Sequence, residues 1–199
     1  MNKALIYIHG SGGNIEEADH YRPLFKDYDV IGFDYKSCNP WDARIEFKEY
    51  FNTIQKDYDE IIIIANSIGA YFVMCSLNEY DIKKTYFISP VVDMKKLIEN
   101  MMLWANVSIE ELREKKKIET AFGETLDYEY YCYVKDNPLK WNKESYILYG
   151  EKDNLTSLET IDGFAKETAS HLTIMKDGEH WFHTDEQLKF LDEWIKNTL

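Results

Sequence analysis

Four consecutive isoleucines at 61–64 run straight into Ala65-Asn66-Ser67-Ile68-Gly69-Ala70, and this stretch constrains the fold more than any other. An uninterrupted β-branched run is apolar on both faces, which suits a strand at the centre of a parallel sheet rather than at its edge. Residues 69–77 are apolar and helix-compatible, so the chain must turn from strand to helix within about three residues of Ser67. A turn that tight leaves room for almost no side chain two positions before and two positions after its corner. Ala65 and Gly69 meet that demand, with Ala65 standing where glycine is more usual.

The pattern small-x-Ser-x-small is that of a nucleophile elbow, which lifts a serine hydroxyl above the sheet at the N-terminus of a helix. There the amide of Ile68 can donate to an oxyanion, helped by the helix dipole. The alternative at this point is a serine that merely caps an ordinary strand-to-helix turn.

At 199 residues the chain has the length of one domain with a substantial core. Its 23 basic and 36 acidic residues leave a net charge of −13. That balance argues against nucleic acid, anionic membrane surfaces and strongly anionic substrates as partners, and otherwise serves solubility. Cys38, Cys75 and Cys132 are odd in number and form no CxxC or His-Cys grouping, so they read as reduced thiols rather than a disulfide frame or a metal site. The N-terminal apolar run reaches Gly10 too soon for the core of a signal peptide, and no run approaches membrane-spanning length. The expectation is a cytoplasmic protein, in which the Asn106 and Asn154 sequons carry no glycan.

A second apolar run, 4–8, ends in His9-Gly10-Ser11-Gly12-Gly13. Strand followed by glycines suggests a loop whose amides point at one oxygen, with Ser11 as the donor of choice. Neither a GxGxxG nor a GK[ST] pattern is present, so the dinucleotide and phosphate-loop readings fail. Residues 14–28 read as a short helix with Asn14 as a candidate cap, split by Pro23 into two pieces with a break near Tyr21-Arg22, and 28–35 as an edge strand. Asn39-Pro40 opens a helix to about Lys56. Further strands fall at 84–93, stopped or bent at Pro90, at 145–150 and at 171–175. Strands and helices alternate, which predicts an α/β fold with a parallel, doubly wound sheet and right-handed crossovers.

Residues 94–143 break that rhythm, being far longer than an ordinary connection and lacking a strong strand signal. They contain a helical stretch capped by Ser108 and a set of aromatics that includes Trp104, Phe122, Tyr131 and Trp141. The segment reads as a helical lid lining a substrate pocket; packing of the insertion's own small core is the competing role for each aromatic.

A serine needs a base to take its proton, and the base needs an acid to hold its tautomer. Asp153 follows the strand at 145–150 and His180 follows the last strand, so serine, acid and histidine come in order. With the His9-Gly10 loop, the Ala65-to-Gly69 elbow, Tyr149-Gly150-Glu151-Lys152-Asp153 and Gly178-Glu179-His180-Trp181-Phe182, the chain resembles a small α/β-hydrolase over nearly its whole length. The resemblance implies Ser67 as nucleophile, His180 as general base, Asp153 as orienting acid, and the Ser11 and Ile68 amides as the oxyanion hole. It also implies a minimal six-stranded, all-parallel sheet in the order 2-1-3-4-5-6, without the hairpin that opens many larger members. Asp93 is the rival acid, since some members take theirs from the preceding strand, and Glu151 sits too near its strand end. His183 should have a structural or surface role, His9 should shape its loop, and His20 and His171 should be unremarkable in chemistry.

The function this predicts is a serine hydrolase with no metal and no cofactor, cleaving a small uncharged ester through an acyl-enzyme, with Trp104 and Trp181 as substrate-contacting aromatics. Peptidase, thioesterase or lipase activity would use the same groups, and acidic residues near the pocket could hold a substrate amine. A catalytically weak interaction protein on this fold, a lyase and a cofactor-free haloperoxidase are the alternatives of other classes.

Overall fold

A computed structural model describes all 199 residues. In chain order they form β1 (Lys3–Ile8), a 3-10 helix (Ile15–Tyr21), β2 (Asp29–Gly32), α1 (Pro40–Ile54), β3 (Glu60–Asn66), α2 (Ser67–Ser76) and β4 (Lys84–Ile88). Then come α3 (Met94–Trp104), α4 (Ile109–Lys115), β5 (Lys117–Glu119), β6 (Thr125–Asp127) and α5 (Tyr128–Asp136). The chain closes with β7 (Tyr146–Gly150), α6 (Leu158–Glu167), β8 (His171–Met175) and α7 (Asp185–Thr198).

Two compact units divide the chain, one made of Met1–Val92 with Lys140–Leu199 and the other of Asp93–Leu139. The first is built on a six-stranded sheet in the order β2-β1-β3-β4-β7-β8, with every pairing parallel. The isoleucine run lies at its centre, Ile61 to Ile64 pairing with Ala4 to Tyr7 of β1 on one side. On the other side Ile62 to Ile64 pair with Lys84 to Tyr86 of β4. Strands covered on both faces must be apolar at every position, and residues 4–8 and 61–65 are all buried.

One face of the sheet contributes Leu5, Tyr7, Ile62, Ile64, Tyr86, Ile88 and Leu148 to a core shared with the 3-10 helix and α7, through residues such as Tyr21, Leu191 and Trp194. The alternate residues Ile6, Ile8, Ile63, Phe87 and Ile147 are buried as well and point the other way. Burying apolar surface at about 25 cal/mol per Å² makes these two layers the main source of stability. Trp141, which the sequence assigns to the insertion, belongs to this first unit. It is buried against Phe87, 5.7 Å between ring centroids, and its indole donates to Ser145 Oγ at 3.0 Å.

The Asp93–Leu139 unit has a small core of its own, with Ile98, Met102, Leu112, Leu126 and Val134 buried. Asp93 caps α3, Ser108 caps α4 and Asp127 caps α5, each side chain accepting from a backbone amide in the first turn. The unit also holds an antiparallel hairpin, β5 with β6. No helix of the chain is long and apolar enough to cross a membrane.

Candidate active site

In a parallel sheet all strands end on one edge, so loops after different strands converge there. β1 ends at Ile8, opposite Ala65 of β3, and Asn66 of β3 is opposite Ile88 of β4. The chain after β3 turns directly into α2 at Ser67, whose φ is 49°. A left-handed residue that is not glycine costs on the order of 1–3 kcal/mol and persists only where its surroundings over-determine it. Here the constraint is visible at Gly69, where a Cβ would lie 2.3 Å from the His9 carbonyl oxygen and 3.0 Å from Ile8 side-chain and backbone atoms. The helix start and the end of β1 are in direct backbone contact, so only glycine fits.

The hydroxyl lifted by that turn does not cap the helix. Ser67 Oγ is 2.9 Å from His180 Nε2, and His180 Nδ1 is 2.7 Å from Asp153 Oδ2. Asp153 Oδ1 accepts from the amides of Leu155 at 2.8 Å and Thr156 at 3.0 Å, which fixes the carboxylate after β7. Its side chain is fully shielded from solvent, and that of His180 is 17% exposed. With a carboxylate on Nδ1, that nitrogen carries the imidazole proton and Nε2 is left as the acceptor facing the serine. The loops after β7 and β8 also touch, since a Cβ on Gly150 would lie 2.3 Å from the Glu179 carbonyl oxygen.

The His9-to-Gly13 loop closes a turn through the Gly13 amide to the Gly10 carbonyl at 3.2 Å, leaving Ser11 at its exposed tip. Gly10 packs on the elbow itself, where an added Cβ would be 3.2 Å from Ser67 Cβ. Ile68 lies in the first turn of α2, where amides have no intrahelical acceptor. Gly10, the residue before Ser11, and Ile68, the residue after Ser67, are thus the loop and helix positions next to the serine. From outside, Tyr35 holds the loop by donating to the His9 carbonyl at 2.9 Å and stacking on the His9 ring at 4.4 Å.

The other residues raised by the sequence fall away from this chain of hydrogen bonds. Asp93 accepts from the Lys96 amide at 2.9 Å as the cap of α3, and Glu151 accepts from the Asp177 amide at 3.0 Å. His9 Nδ1 contacts Gly10 O, His20 pairs with Asp192, and His171 pairs with Glu144. His183 is exposed, with Nδ1 on the Trp181 carbonyl and its ring stacked at 4.5 Å on Trp181, which is itself 70% exposed. Trp104 ends α3 in the second unit, half exposed and edge-on to Phe122 at 6.2 Å. No group of three or more His, Cys, Asp or Glu is arranged to hold a metal ion.

Sequence reasoning missed the layer behind the serine. Asn66 Nδ2 donates to Tyr7 Oη at 2.8 Å, and Tyr7 Oη donates in a short hydrogen bond to Glu17 Oε2. Two signals point to it: a tyrosine inside an otherwise apolar buried strand needs a partner for its hydroxyl, and Asn14 with Glu17 three residues on is a capping box.

The family model described as "Alpha/beta hydrolase of unknown function (DUF900)" matches residues 27–176, three quarters of the chain. That span includes Ser67 and Asp153, while the His9 loop and His180 lie outside it. No curated protein matches the sequence. Among solved structures, Est1E from Butyrivibrio proteoclasticus superposes with a TM-score of 0.79 at 18% identity, over 99% of this chain and 86% of that one. An esterase from Pyrococcus furiosus gives 0.63 at 18% identity over 99% and 80%. Alpha/beta hydrolase domain-containing protein 10 from mouse gives 0.71 at 14% identity over 98% and 88%.

Proposed function

Since the chain belongs to the α/β-hydrolase family whose model its residues 27–176 match, we propose that it is a serine hydrolase that cleaves a small, uncharged ester through an acyl-enzyme on Ser67. The observation that carries this reading is the continuous set of hydrogen bonds from Ser67 Oγ through His180 to Asp153. His180 Nε2 takes the hydroxyl proton as Oγ bonds to the ester carbon, and the carbonyl electron pair moves onto oxygen. The Ser11 and Ile68 amides are the donors for that oxyanion. As the tetrahedral species collapses, the bond to the alcohol breaks and His180 returns the proton to the leaving oxygen. Water then attacks the acyl-enzyme by the same route, releasing the acid and restoring Ser67.

An ester is the substrate class because the reaction needs no more than this set of groups, and the fold is shared with an esterase of Pyrococcus furiosus. The net charge of −13 supports an uncharged substrate and disfavours nucleic acid or anionic membranes as partners. Trp181, exposed and adjacent to His180, is the aromatic we assign to substrate contact. Three free cysteines support a reducing, cytoplasmic setting.

The test is labelling by a fluorophosphonate, a general serine-hydrolase probe, on wild type, Ser67→Ala and His180→Ala, then turnover of p-nitrophenyl esters of graded chain length. Labelling of wild type alone, with turnover that tracks it, is the expected result. A wild-type protein that neither labels nor hydrolyses any ester overturns the reading.

A further inference from the structure

Resting on the serine-hydrolase reading, we infer that Tyr7, Glu17 and Asn66 are positioning residues, a hydrogen-bonded brace that sets the spacing between the two halves of the oxyanion hole. The two donors come from different segments, Ser11 from the loop after β1 and Ile68 from the start of α2. Something must hold those segments in register, because an oxyanion donor works only within about 2.7–3.1 Å of its target.

The brace is anchored in both segments. At one end Asn66 directly precedes Ser67 and occupies the N-cap position of α2, yet makes no side-chain capping bond. Asparagine caps through its Oδ1, but here Oδ1 is buried without a hydrogen-bond partner and the side chain is turned so that Nδ2 donates to Tyr7 at 2.8 Å. In the middle, Tyr7 is 1% exposed on β1 and its hydroxyl donates to Glu17 Oε2. At the far end the Glu17 carboxylate lies under the loop. Its Oε1 accepts from the Asn14 amide at 3.4 Å, and a Cβ on Gly13 would meet the two carboxylate oxygens at 3.0 and 3.1 Å. The loop therefore rests on Glu17, Glu17 on Tyr7, and Tyr7 on the residue before the nucleophile.

A phenylalanine would fill the core at position 7 equally well, so packing alone does not account for the hydroxyl. Burial, then the neighbouring Tyr21 and Glu17, push the Tyr7 phenol well above its ordinary range. It thus stays a donor to Glu17 at any working pH, with its lone pairs free for Asn66.

Two kinds of ligand separate positioning from simple stability. A trifluoromethyl ketone adds Ser67 Oγ at its carbonyl carbon, sends the carbonyl pair to oxygen and the serine proton to His180, and so needs the oxyanion hole. The carboxylate product of the same chain length binds without forming an oxyanion. Both are titrated against wild type, Tyr7→Phe, Glu17→Ala and Glu17→Gln, with kcat, KM and melting temperature measured alongside.

The expected result is a loss of kcat on the order of 10- to 100-fold in Tyr7→Phe and Glu17→Ala, with KM nearly constant. Ketone affinity should fall by the same factor while product affinity holds. Glu17→Gln, whose single oxygen can still accept from Tyr7 but not also from the Asn14 amide, should recover part of the loss. Glu17 is only half-buried, so its pair of variants decides the matter if Tyr7→Phe does not fold. Wild-type kcat and ketone affinity in Glu17→Ala, or equal losses for ketone and product, would overturn the brace. Failure of the hydrolase reading itself would appear earlier and separately, as wild-type protein that never reacts with the ketone or the fluorophosphonate.

Discussion

Asp153 has both carboxylate oxygens engaged, Oδ1 by two backbone amides and Oδ2 by His180, and no solvent reaches it. Asparagine there can keep the backbone bonds through its oxygen, which turns an N–H toward His180 Nδ1. The imidazole then has to accept at Nδ1 and carry its proton on Nε2, the wrong tautomer for drawing a proton from Ser67. Asp153→Asn should lower kcat by about 10⁴-fold, the cost of the corresponding change in a serine protease, with little change in melting temperature. Asp93 makes the contrasting case. Its carboxylate caps α3 through the Lys96 amide, and asparagine caps as well as aspartate does, so Asp93→Asn should leave ester turnover unaltered. Steady-state kinetics of the two variants side by side check the assignment, and a larger loss in Asp93→Asn would reverse it.

At the scale of elements, what could be read in the chain depended on how each element is stabilised. Strands buried on both faces announce themselves as apolar runs, which is why 4–8, 61–64 and 145–150 coincide with β1, β3 and β7, while 171–175 coincides with β8, an edge strand that is only partly buried. The expected order 2-1-3-4-5-6 is that of β2-β1-β3-β4-β7-β8, counting only strands of the main sheet. The hairpin of β5 and β6 gave no signal because strands of three residues are too short for alternation to register. The break near Tyr21-Arg22 falls where the 3-10 helix Ile15–Tyr21 ends; the second piece is no helix, the chain continuing in turns at Leu24, Phe25 and Tyr28. Pro23 cannot donate to an ongoing helix, so the chain breaks there. The hydrogen-bonded set Ser67–His180–Asp153 was legible because each member follows a strand, whereas the hydrogen bonds Glu17–Tyr7–Asn66 join three segments whose register no local pattern encodes. Capping chemistry is the local signal that survives at α7, where Thr184 Oγ1 accepts from the Gln187 amide and Gln187 Oε1 accepts from the amides of His183 and Thr184. Thr184→Ala should cost about 1 kcal/mol in urea unfolding. Gln187→Ala should cost more, because it leaves two amides of the loop after β8 without their acceptor. Equal costs would mean that the buried Gln187 contributes only as a helix residue.

For the molecule as a whole, the sequence combines a net charge of −13 with 15 tyrosines, and several of those tyrosines sit in the core of the sheet unit. Burial raises the phenol of Tyr86 to about 12 and pushes those of Tyr7, Tyr21 and Tyr35 higher still. In the unfolded chain the same groups ionise near pH 10. Between about pH 10 and 12 the unfolded state therefore binds fewer protons than the folded one, and stability falls as pH rises through that window. Below pH 10 both states hold these protons and the four groups add no pH dependence. Loss of the lysine ammonium charges over the same range leaves the carboxylates less compensated and steepens the fall. Urea midpoints measured from about pH 8 to pH 12 should stay level and then drop, with the buried tyrosines' share of the tyrosinate absorbance appearing at the unfolding transition rather than ahead of it. Tyr86→Phe isolates one group. It gives up the hydrogen bond to the Thr198 carbonyl at 3.0 Å, so it should be somewhat less stable at neutral pH. Its alkaline slope should be shallower by up to about 1.4 kcal/mol per pH unit. An unchanged slope in that variant would mean that Tyr86 ionises in place, and that the core opens to hydroxide before it unfolds.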